Sequence, residues 1–285
     1  MDAIRVKNLC KGYSDFKLDN ISFQLPKGYI MGYVGQNGAG KSTTLKAITH
    51  ITKADKGDVM INGITYKQDP ILFKEQIGFI GDESYFPYEF NLLQVKSILK
   101  DFYPSFREEE FMKYVDRWKL PYKKTILKYS QGMKVRLMFA AVLARDTKLL
   151  ILDEATNGLD PVIKEEVLEL IQGYIEDGER SVIFSTHILS DLEQIADYIF
   201  FIDDGKKVFF DLKDDLIERY VVVKGGLEDL NSETEKHLIG VKASRVGFTA
   251  VMRSDESVML DKRFIVEKPS IDQLVTHFIK QKGGK

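Results

Sequence analysis

The sequence predicts an α/β protein: a mixed sheet core, a helical subdomain inserted into it, and a small α+β appendage at the C-terminus. Three observations carry this. Short runs of β-branched and aromatic residues alternate with helical patterns along much of the chain. From about Asp82 to Asp146 that alternation gives way to a mostly helical pattern. Beyond about Asp211 the composition shifts to short strand-like pieces followed by one helix.

In order, the strand-like runs are Ala3 to Leu9, Ile21 to Leu25, Ile30 to Val34, Asp58 to Ile61, Ile77 to Ile80, Leu149 to Asp153, Val182 to Thr186 and Tyr198 to Ile202. Unbroken apolar runs among them suit a parallel sheet covered on both faces. The helix after Lys41 carries Leu45, Ile48 and Ile51 at three-residue steps, a stripe suited to packing on that sheet. At Asp160-Pro161 an acidic N-cap precedes a proline in the first turn, predicting a helix that ends near Gly178. In the C-terminal region, Tyr220 to Val223, Ser257 to Leu260 and Phe264 to Val266 read as strands, and Ser270 to Lys280 as a helix. The division expected is residues 1–210 and 211–285, with the helical subdomain at about 82–146.

Composition bounds the function. With 285 residues, 44% hydrophobic and 29% charged, the chain can bury a sizeable core and is not a disordered type. Lys and Arg total 41 against 43 Asp and Glu, so no basic field points to nucleic acid as a partner. Cys10 is the sole cysteine, which excludes an internal disulfide and a multi-cysteine metal site and suits a reducing compartment. The start, Met1-Asp-Ala-Ile-Arg-Val6, lacks a signal-peptide pattern. Apolar runs such as Tyr198-Ile-Phe-Phe-Ile202 are too short to span a bilayer.

Gly35-Gln36-Asn37-Gly38-Ala39-Gly40-Lys41-Ser42 fits G-x-x-x-x-G-K-[ST], follows a strand and opens a helix. Glycines let successive N–H groups point at phosphate oxygens, and the helix start adds its positive end. Lys41 supplies a point charge to the terminal phosphates, Ser42 a hydroxyl for magnesium, and Thr43 follows in the same turn. The apolar run Leu149 to Leu152 ends in Asp153-Glu154, at the end of a strand where parallel sheets bind ligands. Asp153 is placed to hold magnesium through water, and Glu154 to orient or deprotonate the attacking water. His187 follows another such strand and can contact a γ-phosphate. His50, His237 and His277 have no comparable setting.

With Tyr129-Ser130-Gln131-Gly132-Met133 before the Asp153-Glu154 strand, these segments resemble the nucleotide-binding domain of ABC transporters over roughly residues 3 to 210. The family's signature motif is the one that other P-loop ATPases lack. The resemblance implies that the segment Ser130-Gln131-Gly132 binds nucleotide, with Ser130 and the Gly132 backbone reaching the γ-phosphate held by a partner subunit across a head-to-tail dimer. Val135, Met138, Phe139 and Val142 give a helical stripe from there. It further implies a linking loop, Asn157-Gly-Leu-Asp160, with Asp160 near nucleotide. Tyr13 would stack on adenine, with Phe16 as a rival and Leu18 also near the base.

Two positions depart from the family pattern. Gln131 stands where the signature usually has glycine, and Asp82 where a glutamine usually contacts magnesium and couples to the membrane subunit. Asp82 is expected to ligate magnesium. Tyr85, Phe86, Tyr88, Phe90, Phe102, Tyr103 and Phe106 lie where the family receives a short helix of its membrane subunit, most of them expected in the core. The implied protein is an ATP- and Mg2+-binding ATPase subunit on the cytoplasmic side of the membrane. It would pair with itself or a paralogue and drive a separate integral membrane subunit. The small appendage and single motor look like drug, antibiotic or peptide exporters of the ABC-2 type; an importer's motor subunit would carry the same motifs. A ribosome- or DNA-directed relative fits less well, given the length and near-neutral charge.

Overall fold

The computed structural model describes residues 1–283. Strands β1 (Asp2–Gly12) and β2 (Lys17–Pro26) form a hairpin. After β3 (Ile30–Val34) and helix α1 (Lys41–Ile48) come β4 (Lys56–Ile61), β5 (Ile64–Thr65) and α2 (Pro70–Glu75). Next are β6 (Ile77–Ile80), α3 (Leu92–Phe102), α4 (Glu108–Arg117) and α5 (Gln131–Leu143). β7 (Leu149–Asp153), α6 (Pro161–Tyr174), β8 (Ser181–Ser185), α7 (Leu189–Ile195), β9 (Tyr198–Asp203) and β10 (Lys206–Leu212) complete the larger part. The C-terminal part holds α8 (Lys213–Arg219), β11 (Tyr220–Gly225), β12 (Ile239–Ser244), β13 (Gly247–Arg253), β14 (Ile265–Glu267) and α9 (Ile271–Gly283).

The central sheet has the order β10-β9-β3-β8-β7-β6, parallel except for the antiparallel edge strand β10. In β3, β7 and β8 every residue is buried, as strands covered on both faces require. The runs at Ala3, Ile21 and Asp58 do not join it. They form a separate antiparallel sheet, β2-β1-β4-β5, in which buried and exposed residues mix along each strand. A short hairpin forces antiparallel pairing, because a parallel pair needs a crossover of a dozen residues or more.

The stripe after Lys41 is shorter than expected. Leu45 and Ile48 are buried, but the helix ends at Ile48; Thr49 caps it, His50 turns left-handed at φ 54°, and Ile51 is 57% exposed. Between β6 and β7 the chain is helical, as expected. Asn91 begins α3 with a reciprocal capping box to Gln94, and Ser130 begins α5 by accepting from the Met133 amide. Val135, Met138, Phe139 and Val142 are all fully buried.

The C-terminal sheet, β12-β13-β11-β14, is antiparallel. The run at Ser257 to Leu260 is not a strand: Ser257–Met259 is a turn of 3-10 helix, with Val258 87% exposed. The Ser257 hydroxyl donates to the Ser254 carbonyl and tightens that turn. β12 and β13, joined by a turn at Arg245-Val246, were not apparent in the sequence. Leu216, Val222, Val251, Ile271 and Leu274 join the same buried cluster as Ile195, Ile199 and Phe201 of the central layer.

Candidate functional site: a nucleotide cavity at the ends of β3 and β7

A cavity of about 820 Å3 opens where β3 and β7 end. Gln36, Asn37, Gly38, Gly40, Lys41, Ser42 and Thr43 line it along the loop that leads into α1. Gly40 is left-handed at φ 107°, and a Cβ there would stand 2.7 Å from the Phe16 ring, so only glycine lets the loop turn beneath that ring. Gly35 and Ala39, expected at the nucleotide, do not line the cavity: Ala39 is buried, and a Cβ on Gly35 would stand 2.4 Å from the Ile202 carbonyl oxygen. The Lys41 ammonium, 6% exposed, donates to the Gly35 carbonyl at 2.8 Å and the Gln36 carbonyl at 3.3 Å.

Across the cavity Glu154 is the first residue after β7 and is left-handed at φ 57°, a conformation that costs a non-glycine residue about 1–3 kcal/mol. Its amide donates to the Ser185 carbonyl at 2.9 Å, which fixes the bend to the neighbouring strand. The carboxylate lies 3.4 Å from the Lys41 Nζ, 2.8 Å from the His187 Nδ1, and accepts from the Asn157 Nδ2 at 2.8 Å. Burial alone would push its pKa up. The hydrogen bonds from His187 and Asn157, with the charge of Lys41, outweigh burial and hold the carboxyl below its usual range. An ionised carboxylate only accepts, so His187 Nδ1 carries the hydrogen and Nε2 of a neutral ring is left as an acceptor.

Asp153 behaves in the opposite way. Burial pushes its carboxyl up and the Glu154 charge adds to this, against the pull of the nearby Ser42 and Ser185 hydroxyls. Its Oδ1 is buried without a hydrogen-bond partner among the described residues. A buried orphan acceptor beside Ser42 suits a divalent cation. Among the described residues no cluster of three or more His, Cys, Asp or Glu side chains is arranged for a metal, so a cation here would draw its other ligands from phosphate and water. Asp82 lines both the main cavity and a smaller one of about 190 Å3, shared with Ser42, Asp153 and Glu154.

The structure thus gathers the phosphate loop, Asp153, Glu154, His187 and Asp82 in one place. Tyr13 and Phe16 both line the cavity mouth; Tyr13 is 52% exposed, whereas Leu18 is fully buried in the core and away from it. Ser130, Gln131, Gly132 and Asp160 do not line the cavity and stand instead at the starts of α5 and α6. Asp160 caps α6 by accepting from the Val162 and Ile163 amides. Asn157, expected only as part of a linking loop, instead holds the Glu154 carboxylate. Its place three residues after Glu154, within one turn, was the available signal. Asp15 and Asp204 also line the cavity, from turns that carry no motif.

An ABC transporter family model matches residues 18–157. The chain is 33% identical to the lantibiotic transport ATP-binding protein SrtF of Streptococcus pyogenes over 71% of its own length and 88% of that protein's. The chain belongs to the ABC transporter family. An ABC transporter ATP-binding protein of Bacillus subtilis, YtrB, is 29% identical and is matched over 94% of both chains, C-terminal part included. Among solved structures, the ATP-binding subunit of an ABC transporter superposes with a TM-score of 0.69 at 26% identity, covering 76% of this chain and 92% of that one. As an ABC protein the chain is an ATPase built on the P-loop α/β fold, and no described helix is long and apolar enough to cross a membrane.

Proposed function

We propose that this ABC ATPase powers the export of an antibiotic, drug or peptide through a separate integral membrane subunit, as one half of a dimer that closes on two ATP molecules. The observation that carries the motor reading is the contact set Lys41, Glu154, His187 and Asn157 around one cavity. Lys41 exchanges its loop carbonyls for the β- and γ-phosphate oxygens. Glu154, kept ionised, takes a proton from the attacking water, and His187, hydrogen-bonded to it, keeps the carboxylate in place. Ser42 and Asp153, with Asp82 beside them, would hold a magnesium ion, whose charge would offset that of the phosphates. Tyr13 or Phe16 stacks on the base. Residues 1–210 supply this machinery and 211–285 an accessory unit.

Ser130, Gly132 and Asp160 lie away from the chain's own cavity, which favours a role at the phosphate of a partner's nucleotide. The membrane subunit would seat in a groove of about 520 Å3 lined by Tyr66, Ile71, Tyr85, Phe86, Phe102 and Tyr103. Phe102 is 75% exposed there, while Phe86 is buried. Export rests on the lantibiotic-transport relative.

The test uses Glu154→Gln protein, which should bind ATP without consuming it. Light scattering should show the mass doubling with ATP and magnesium. Capture from detergent-solubilised native membranes should bring down a multi-span protein lacking an ATPase domain. A mass unchanged by ATP overturns the dimer, and recovery of ribosomal or DNA-repair components overturns transport.

A further inference from the structure

Gln131 and Asp82, the two departures from the family pattern, meet in the structure. The Gln131 Nε2 donates to the Asp82 carbonyl at 2.7 Å. This is the one hydrogen bond Asp82 makes among the described residues. The irregular segment it belongs to is anchored on one side by Ile80, fully buried, and on the other by Phe86, 6% exposed. Between those anchors the Gln131 amide holds the main chain of Asp82.

The helix start from which Gln131 reaches is packed against α6. A Cβ on Gly132 would stand 2.3 Å from the Ile163 Cδ1, so at the next residue the start of α5 leaves room for an α6 side chain. One turn on, Arg136 donates through Nε and Nη2 to Glu166 at 3.0 and 2.6 Å, and the Trp118 indole donates to the same carboxylate at 2.5 Å. Beyond the tether, Asp82 faces Ser42, Asp153 and Glu154 across the smaller cavity.

We propose that Gln131 is a positioning residue of its own chain: its side-chain amide fixes Asp82 on the magnesium side of the nucleotide cavity. This rests on the reading of Asp82 as a magnesium-side residue. Glycine at 131 has no side chain to make the bond, and glutamate at 131 would set a carboxylate against a carbonyl. Lysine keeps a donor at similar reach.

The experiment measures magnesium-dependent binding of a fluorescent ATP analogue to the Glu154→Gln protein, so the readout is binding and not turnover. Gln131→Gly and Gln131→Glu should each raise the magnesium midpoint by about 3- to 10-fold, the scale of one lost hydrogen bond. Gln131→Lys should restore it to within about twofold. In an Asp82→Ala background, Gln131→Gly should add nothing. If Asp82→Ala raises the midpoint and Gln131→Gly does not, the tether is wrong and the Asp82 reading stands. If Asp82→Ala alone leaves the midpoint unmoved, both fail. An equal, additive shift in the two backgrounds overturns the tether and places Gln131 on the nucleotide itself.

Discussion

At Glu154 the sheet, the charge pattern and the chemistry converge on one side chain. Its left-handed backbone is held by the Ser185 carbonyl, and its carboxylate by Lys41, His187 and Asn157. If it is the general base, Glu154→Gln lowers ATP turnover by about 100- to 10,000-fold with ATP binding retained, measured by phosphate release and equilibrium binding. The pH dependence follows from its lowered pKa. Only the ionised base works, so turnover is kept above the folded-state pKa and lost as pH falls through it. The stability this group contributes follows the same sign: present above its unfolded pKa, lost as pH falls through the lower folded value. Removing the His187 hydrogen bond in His187→Ala raises the carboxyl's pKa, so the acid limb of the kcat profile moves to higher pH. A limb that stays put would place the base elsewhere. The letters of Lys41, Asp153, Glu154 and His187 were legible because each follows a strand in a recognisable string. Asn157 was not, because its contact depends on how one turn folds back on Glu154.

Helix starts make the second level of control. Asp160 accepts from two amides of α6 with a proline at its first turn, and the sequence signalled this start outright. Asp160→Ala should cost about 1 kcal/mol of stability, read from urea unfolding midpoints; an unchanged midpoint would mean that water replaces the cap without loss. Trp118 is the chain's only tryptophan and ties the inserted helices to α6 through Glu166, a link that no local pattern announced. Glu166→Ala should free the Trp118 indole and break the Arg136 pair together, shifting Trp emission to longer wavelength. An unmoved spectrum would show that apolar packing alone holds Trp118. The Ser257 segment shows the opposite case: its residues suit a strand, but no described strand pairs with it, and its hydroxyl closes a turn instead.

On the scale of the whole molecule, the C-terminal part is fused to the motor. Leu216, Val222, Val251, Ile271 and Leu274 are buried in one cluster with Ile195, Ile199 and Phe201, and Glu193 of α7 accepts from the Ile271 amide at 2.7 Å at the start of α9. Calorimetry should therefore show a single cooperative unfolding transition. Leu274→Ala, creating a cavity in that shared cluster, should lower it by about 2–5 kcal/mol. Two separate transitions would mean that the two parts unfold independently. The sequence showed the composition shift near Asp211 but not this fusion, because nothing in a linear pattern says which apolar stripe meets which.

The sequence by itself determined the parallel core, the phosphate loop and the acidic strand end, since those depend on short runs and fixed spacings that the backbone reads locally. Only the tertiary structure decided that the first hairpin leaves the central sheet, that Asn157 holds Glu154, that Gln131 ties down Asp82, and that the appendage shares the core. Each of these joins residues distant along the chain or folds a turn back on itself. Such contacts are fixed by packing and by the demand that buried polar groups find partners, conditions satisfied only once the whole chain has closed.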